Sequence, residues 1–91
     1  MKVLKDAVAG SLESSDVLVS VSPSLGDGVD LQVESIVIRQ FGARIRSVAE
    51  DVIASSGLSG GTVRIQDRGA LSCTLRARLE TALERATKQE C

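Results

Sequence analysis

Two different spacings of apolar residues run through the chain, and they constrain the fold more than any other feature. Alternation of apolar and polar residues predicts strands in the segments at 16–22 (DVLVSVS), 29–34 (VDLQVE) and 62–67 (TVRIQD). The small and moderately apolar segment at 7–12 (AVAGSL) predicts a further strand, paired as a hairpin with 16–22. The chain therefore contains strands both before and after its first helical segment.

Helical spacing appears in two longer segments. From about Ile36 the apolar residues recur every three or four positions, and Gly57 is well placed to cap the helix that they predict: Ile38, Phe41, Ile45, Val48, Val52 and Ile53. A second helix is predicted from near Ala70 to about Lys88, with an apolar stripe formed by Leu71, Leu75, Leu79, Ala82, Leu83 and Ala86. The order β-β-β-α-β-α predicts an α+β fold, a single small domain over residues 1–91. Its four-stranded sheet is antiparallel or mixed, with both helices on one face.

Composition restricts the chemistry that such a domain can perform. The chain has no histidine and a single aromatic residue, Phe41. The commonest general base and most zinc sites are therefore excluded, and an aromatic-lined ligand pocket is not expected. The formal net charge of -1 gives no electrostatic reason to bind nucleic acid or an anionic membrane. The sequence thus predicts no catalytic or metal site of its own.

The cysteines and the N-terminal segment bear on the cellular compartment. No segment approaches the roughly 20 apolar residues needed to cross a bilayer, and MKVLKDAV lacks an extended apolar signal region. We therefore expect a cytoplasmic protein. Cys73 and Cys91 show neither metal nor redox spacing and are expected to remain thiols. Cys73, near the start of the second helix, is predicted to be a small packing residue.

The connection between the first two strands carries the one local feature that suggests chemistry. Ser14 and Ser15 lie between Glu13 and Asp16, and four-residue hairpin loops of such residues are commonly built around a type I turn. Both serines are therefore predicted at an exposed tip. A serine hydroxyl without a neighbouring base is a poor nucleophile, although a separate enzyme could modify it. From composition and spacing alone, an unmodified turn is the simpler interpretation.

Four blocks of the sequence together resemble the citrate lyase gamma chain, the acyl carrier protein of citrate lyase. In chain order they are AVAGSLESSDVLV at 7–19, VDLQVES at 29–35, IRQFGARIR at 38–46 and DRGALSCTLRARLETAL at 67–83. They span nearly the whole chain and are specific only in combination. Two positions depart from the family pattern: Ser11 stands where threonine is common, and Ser72 stands where aspartate is often seen.

The resemblance implies a carrier without catalytic residues. In this family a serine of the motif G-[ST]-L-E-S carries phosphoribosyl-dephospho-coenzyme A through a phosphodiester, and the matching residue is Ser14. Ser15 is the rival, but glycine takes its place in some family members. The arm holds acetyl and citryl thioesters, which the alpha subunit exchanges and the beta subunit cleaves to oxaloacetate. The implied partners are these two subunits and the transferase that attaches the prosthetic group.

Other interpretations remain open. The malonate decarboxylase acyl carrier subunit uses a similar group, although GSLESSD and GALSCTLRAR look more like citrate lyase. A conventional phosphopantetheine carrier is disfavoured because the chain has no Asp-Ser-Leu motif. An adaptor domain with unmodified serines is a different class; as a nucleic-acid binder it would lack aromatic residues for stacking. The arginines form a separate hypothesis, in which they dock partner subunits or steer the phosphates of the arm: Arg39, Arg44, Arg46, Arg64, Arg68, Arg76 and Arg78.

Overall fold

Four strands and two helices follow one another in the predicted order β-β-β-α-β-α. The computed structural model describes residues 3–24, 28–36 and 38–87, the side chains of 38–41 excepted. The elements are β1 (Ala7–Gly10), β2 (Val17–Ser22), β3 (Gly28–Ser35), α1 (Ile38–Ser56), β4 (Gly60–Asp67) and α2 (Ser72–Thr87). Neither helix, as far as the structure describes them, has an apolar stretch of the length needed to cross a membrane.

The four strands form one mixed sheet in the order β1-β2-β4-β3. The pairs β1–β2 and β2–β4 are antiparallel, whereas β3 runs parallel to β4. Parallel neighbours need a crossover connection, and α1 supplies it between β3 and β4. The alternation pattern left an antiparallel or a mixed sheet open, and the sheet is mixed.

Both helices cover the same face of the sheet, as predicted. Helix α2 packs against β1 and β2, α1 packs against β3, and the two helices contact each other. The inward positions of the central strands are fully buried: Val17, Val19, Val21, Val63 and Ile65. On the opposite face, Arg64 of β4 pairs with Glu34 of β3 in solvent. The alternation of apolar and polar residues therefore identifies the two faces of the sheet correctly.

Contacts between elements shift several boundaries from those that periodicity predicts. Helix α1 begins at Ile38 because the amide of Ile36 still donates to the Asp67 carbonyl, at 3.4 Å. Strand β4 begins at Gly60, two residues before the predicted start. Gly57, with a φ of 72°, donates to the Ala54 carbonyl and ends α1, as predicted.

Two predictions about the start of α2 are wrong. Leu71 is 69% exposed and precedes the helix, where its carbonyl accepts the amide of Leu75. Cys73 is also exposed and is not a packing residue. The rest of the predicted stripe is buried: Leu75, Leu79, Ala82, Leu83 and Ala86. The apolar stripe thus begins one turn later than its spacing suggests, while Lys88 and Cys91 lie outside the described residues.

Candidate functional site

The loop between β1 and β2 places Ser14 at an exposed tip, as predicted. The amide of Asp16 donates to the carbonyl of Glu13 at 3.1 Å and closes a turn with Ser14 and Ser15 at its centre. The expected type I turn is wrong, because Ser15 has a φ of 65°, which is typical of the third position in a type II turn. Glycine adopts this conformation without strain.

Gly10 determines where β1 gives way to the loop. Its φ is 91°, and a Cβ at this position would overlap the carbonyl oxygen of Val17. The two strands remain joined just beyond it, since the amide of Ser11 donates to that carbonyl at 3.2 Å. Strand β1 therefore ends at Gly10, two residues earlier than predicted, because the chain turns sharply there while it is still paired with β2.

Asp16 organises the inside of the loop. Its carboxylate accepts the Ser11 hydroxyl and the Val17 amide, both at 2.8 Å, and the Arg78 guanidinium of α2 at 3.3 Å. The Val17 amide, followed by the Ser11 hydroxyl and the Arg78 side chain, lowers the pKa of Asp16 below its ordinary value of 3.8. At neutral pH the carboxylate is ionised and ties the loop to α2.

A β-bulge fixes the tip to the connection between β4 and α2. The Ser15 amide donates to the Arg68 carbonyl at 2.8 Å, and the Arg68 amide donates to the Asp16 carbonyl at 2.9 Å. Two residues thus oppose one, and the first is left-handed, the arrangement of a G1 bulge. The backbone beside Ser14 is consequently anchored although its side chain faces solvent.

Asp67 supports this connection from within the protein. It is only 3% exposed, and its carboxylate accepts the Ser35 hydroxyl at 2.8 Å and the amides of Gly69 and Ala70 at 3.2 and 3.0 Å. The prediction of a strand at TVRIQD by itself identifies Asp67 only as the end of that strand. A signal was present, because alternation places this acid on the inward face together with Val63 and Ile65.

The geometry suits a serine that is modified by another protein. The Ser14 hydroxyl takes part in none of the side-chain hydrogen bonds found in the loop, so a substituent on its oxygen would disrupt none of them. The chain contains no histidine, and the Asp16 carboxylate is already committed to its own donors. The loop therefore lacks the usual partner that turns a serine into a nucleophile.

Two surface depressions differ in their relation to this loop. An apolar groove between α1 and α2 includes Val52 and Leu83, and no residue of the loop lines it. A smaller polar depression includes Ser35, Asp67 and Arg68, and so borders the connection to which Ser15 is bonded. Ser14 thus lines neither depression, and the one that borders its loop is polar.

The family model and the similar proteins all describe acyl carrier proteins. Residues 4–86 match the acyl carrier family model described as malonate decarboxylase delta subunit (MdcD). The chain is 52% identical to a citrate lyase acyl carrier protein of Albidiferax ferrireducens, over 94% of this chain and 88% of the relative. It is 47% identical to the citrate lyase acyl carrier protein of Streptococcus mutans, over 99% of this chain and 88% of that protein.

A solved structure shares the fold. A chain in the crystal structure of a Pseudomonas malonate decarboxylase hetero-tetramer in complex with malonate superposes with a TM-score of 0.75. The alignment covers 90% of the present chain and 84% of the other, at 23% sequence identity. This likeness supports the architecture described above.

Proposed function

Because the chain belongs to the family of citrate lyase acyl carrier proteins, we propose that it is the acyl carrier subunit of citrate lyase. In this proposal residues 1–91 form one acyl carrier domain, which contributes no catalytic residue. Ser14 Oγ is the attachment point of phosphoribosyl-dephospho-coenzyme A, joined through a phosphodiester. When bound, this group supplies a thiol that carries acyl groups as thioesters.

The observation that carries the proposal is an exposed serine on a rigidly anchored turn. Ser14 lies at the tip, whereas the neighbouring backbone is bonded to Arg68 and the neighbouring carboxylate to Arg78. A large substituent on Ser14 meets no core side chain, and its point of attachment stays fixed relative to the sheet. Motion is then left to the arm itself.

Ser15 fits the attachment role less well. Its hydroxyl is exposed, but its left-handed backbone and its amide bond to Arg68 serve the bulge. Glycine can replace it there without loss of either feature. We therefore assign the structural role to Ser15 and the chemical role to Ser14.

An anchored turn that carries a long, mobile arm explains how one small domain can serve two active sites. The proposed partners are the alpha subunit, which exchanges the acyl group, and the beta subunit, which cleaves the citryl thioester. A covalent tether makes each encounter intramolecular, at an effective concentration of order mM, so the acyl group is not lost to solution. A further partner is the transferase that attaches the group to Ser14.

The first test is intact mass spectrometry after incubation with the cognate transferase. We expect the wild-type chain and the matched control Ser15→Ala to gain the mass of the complete group, and Ser14→Ala to gain nothing. Circular dichroism should show all three chains folded, since both side chains are exposed. A full adduct on Ser14→Ala would refute the assignment.

The second candidate is the carrier of malonate decarboxylase, because the matching family model bears that description. The relatives with 47% to 52% identity favour citrate lyase. Reconstitution separates the two: the modified chain should restore citrate cleavage with purified citrate lyase alpha and beta subunits. Activity only with malonate decarboxylase subunits would favour the second candidate.

A further inference from the structure

Most of the arginines that the sequence groups together are engaged within the chain. Arg46 of this set donates to the main-chain carbonyl of Leu31 in the outer strand β3, and Arg85, outside the set, donates to that of Val8 in the outer strand β1. Three others pair with carboxylates: Arg64 with Glu34, Arg76 with Asp51 and Arg78 with Asp16. Arg44 also has a contact within the chain, and the side chain of Arg39 lies outside the described part.

Arg68 differs from these residues. Its side chain is exposed, and in the part of the chain that the structure describes its guanidinium forms no hydrogen bond or ion pair. Its backbone, in contrast, is held on both sides by the bulge with Ser15 and Asp16. Arg68 therefore combines an anchored backbone with a guanidinium that has no partner among the described residues.

The bulge places the main chain of Arg68 beside that of Ser14. The Arg68 carbonyl oxygen lies 2.8 Å from the Ser15 nitrogen, which is bonded to the carbonyl carbon of Ser14. With a peptide bond of about 1.33 Å, that carbon lies within about 4 Å of the Arg68 main chain. An arginine side chain is long enough to reach an oxygen attached at this position.

The negative charges around Ser14 would favour a guanidinium close to a phosphate attached there. A phosphodiester on Ser14 would add a negative charge next to the exposed carboxylate of Glu13 and close to that of Asp16. Arg78 already neutralises Asp16, whereas Glu13 has no such cation in the loop. Arginine binds phosphate oxygens in a forked geometry and keeps its charge at all relevant pH values.

We propose that Arg68 binds the phosphate of the group carried on Ser14 and so directs the first bonds of the arm. This inference rests on the proposed attachment at Ser14. The contact lies at the protein end of the arm, so the reactive end remains free to move between partner subunits. It also narrows the general hypothesis about the arginines to one residue with one ligand, a phosphate ester at position 14.

The test uses phosphoserine installed genetically at position 14 of the full chain, with phosphorus-31 NMR as the readout. The second ionisation of phosphoserine has an ordinary pKa of about 6, and a nearby guanidinium favours the dianion. We expect this pKa to be about 0.2 to 0.7 unit lower in the Arg68-containing chain than in Arg68→Gln. High salt should reduce the difference.

Arg64→Gln is the matched control, because it removes the same charge from β4 at a residue already paired with Glu34. It should leave the phosphoserine pKa close to that of the parent chain. Equal pKa values in the parent and Arg68→Gln, or an equally large shift in Arg64→Gln, would overturn the proposal. The phosphate is installed without the transferase, so this result is independent of the mass test on Ser14→Ala.

Discussion

Two left-handed residues of different kinds shape the loop that carries Ser14. Ser15 reaches a positive φ within an exposed turn, where a side chain meets no neighbour that prevents it. Gly10 reaches one beside the backbone of Val17, where there is no room for a Cβ. Only the second position therefore demands glycine for reasons of space as well as conformation.

Replacing Gly10 by alanine should destabilise the domain more than the same change at Gly69. The two residues have nearly equal φ values, 91° and 92°, but a Cβ at Gly69 meets no atom within 4 Å. Gly69→Ala should cost about 1–2 kcal/mol from backbone strain alone, and Gly10→Ala about 2–4 kcal/mol. Urea unfolding followed by circular dichroism measures both. Equal losses would show that the overlap with Val17 is relieved without cost.

Individual residues of the site are only partly predictable from the sequence. The turn chemistry of Glu13 to Asp16 correctly places Ser14 at an exposed tip. The role of Arg68 depends on which strand lies beside β2, and that pairing joins residues 40 to 50 positions apart, from Ser22 with Thr62 to Val17 with Asp67. Local patterns hold no information about such a partner, so the bonds between Arg68 and the loop emerge only from the structure, whereas alternation already places Asp67 on the inward face.

At the scale of elements, periodicity predicts the type of each helix and strand but not where each one ends. The spacing of apolar residues in α2 would place Leu71 in the helix, one turn before Leu75. The helix begins only at Ser72, however, because the amide of Ala70 is bonded to the Asp67 carboxylate. Similarly, β3 extends to Ser35 because it pairs with β4, which delays the start of α1. The parallel pairing itself follows from the crossover through α1, which alternation within single strands does not determine.

Removal of the Asp67 carboxylate should destabilise the connection between β4 and α2. Asp67→Ala leaves the Ser35 hydroxyl and the amides of Gly69 and Ala70 without their acceptor, at a cost of about 2–4 kcal/mol. The matched variant Ser35→Ala deletes one of these donors and should cost about 1 kcal/mol. Urea unfolding gives both values. Hydrogen exchange at the Ser15 and Arg68 amides should also accelerate in Asp67→Ala; unchanged exchange would mean that the bulge stands without this carboxylate.

At the scale of the whole molecule, parts that are distant in sequence hold the tip in place. The loop after β1 is bonded to the end of β4 through Arg68 and to α2 through Arg78. Both helices cover one face of the sheet, and the core between them is formed without any residue of the turn from Glu13 to Ser15. The turn from Glu13 to Ser15 is therefore anchored to elements that the core holds in place. The core, in contrast, does not depend on what is attached to Ser14.

This separation predicts that attachment of the prosthetic group leaves the stability of the domain nearly unchanged. A group that is bound by the folded chain and not by the unfolded chain raises the free energy of unfolding in proportion to that binding. At Ser14 the expected contact is one exposed ion pair with Arg68, which is worth about 0.2–1 kcal/mol. Urea midpoints of the modified and unmodified chains should therefore differ by less than about 1 kcal/mol when converted with a common slope. A gain of several kcal/mol would mean that the arm is packed against the protein, as in a carrier that shelters its cargo, and would contradict a freely moving tether.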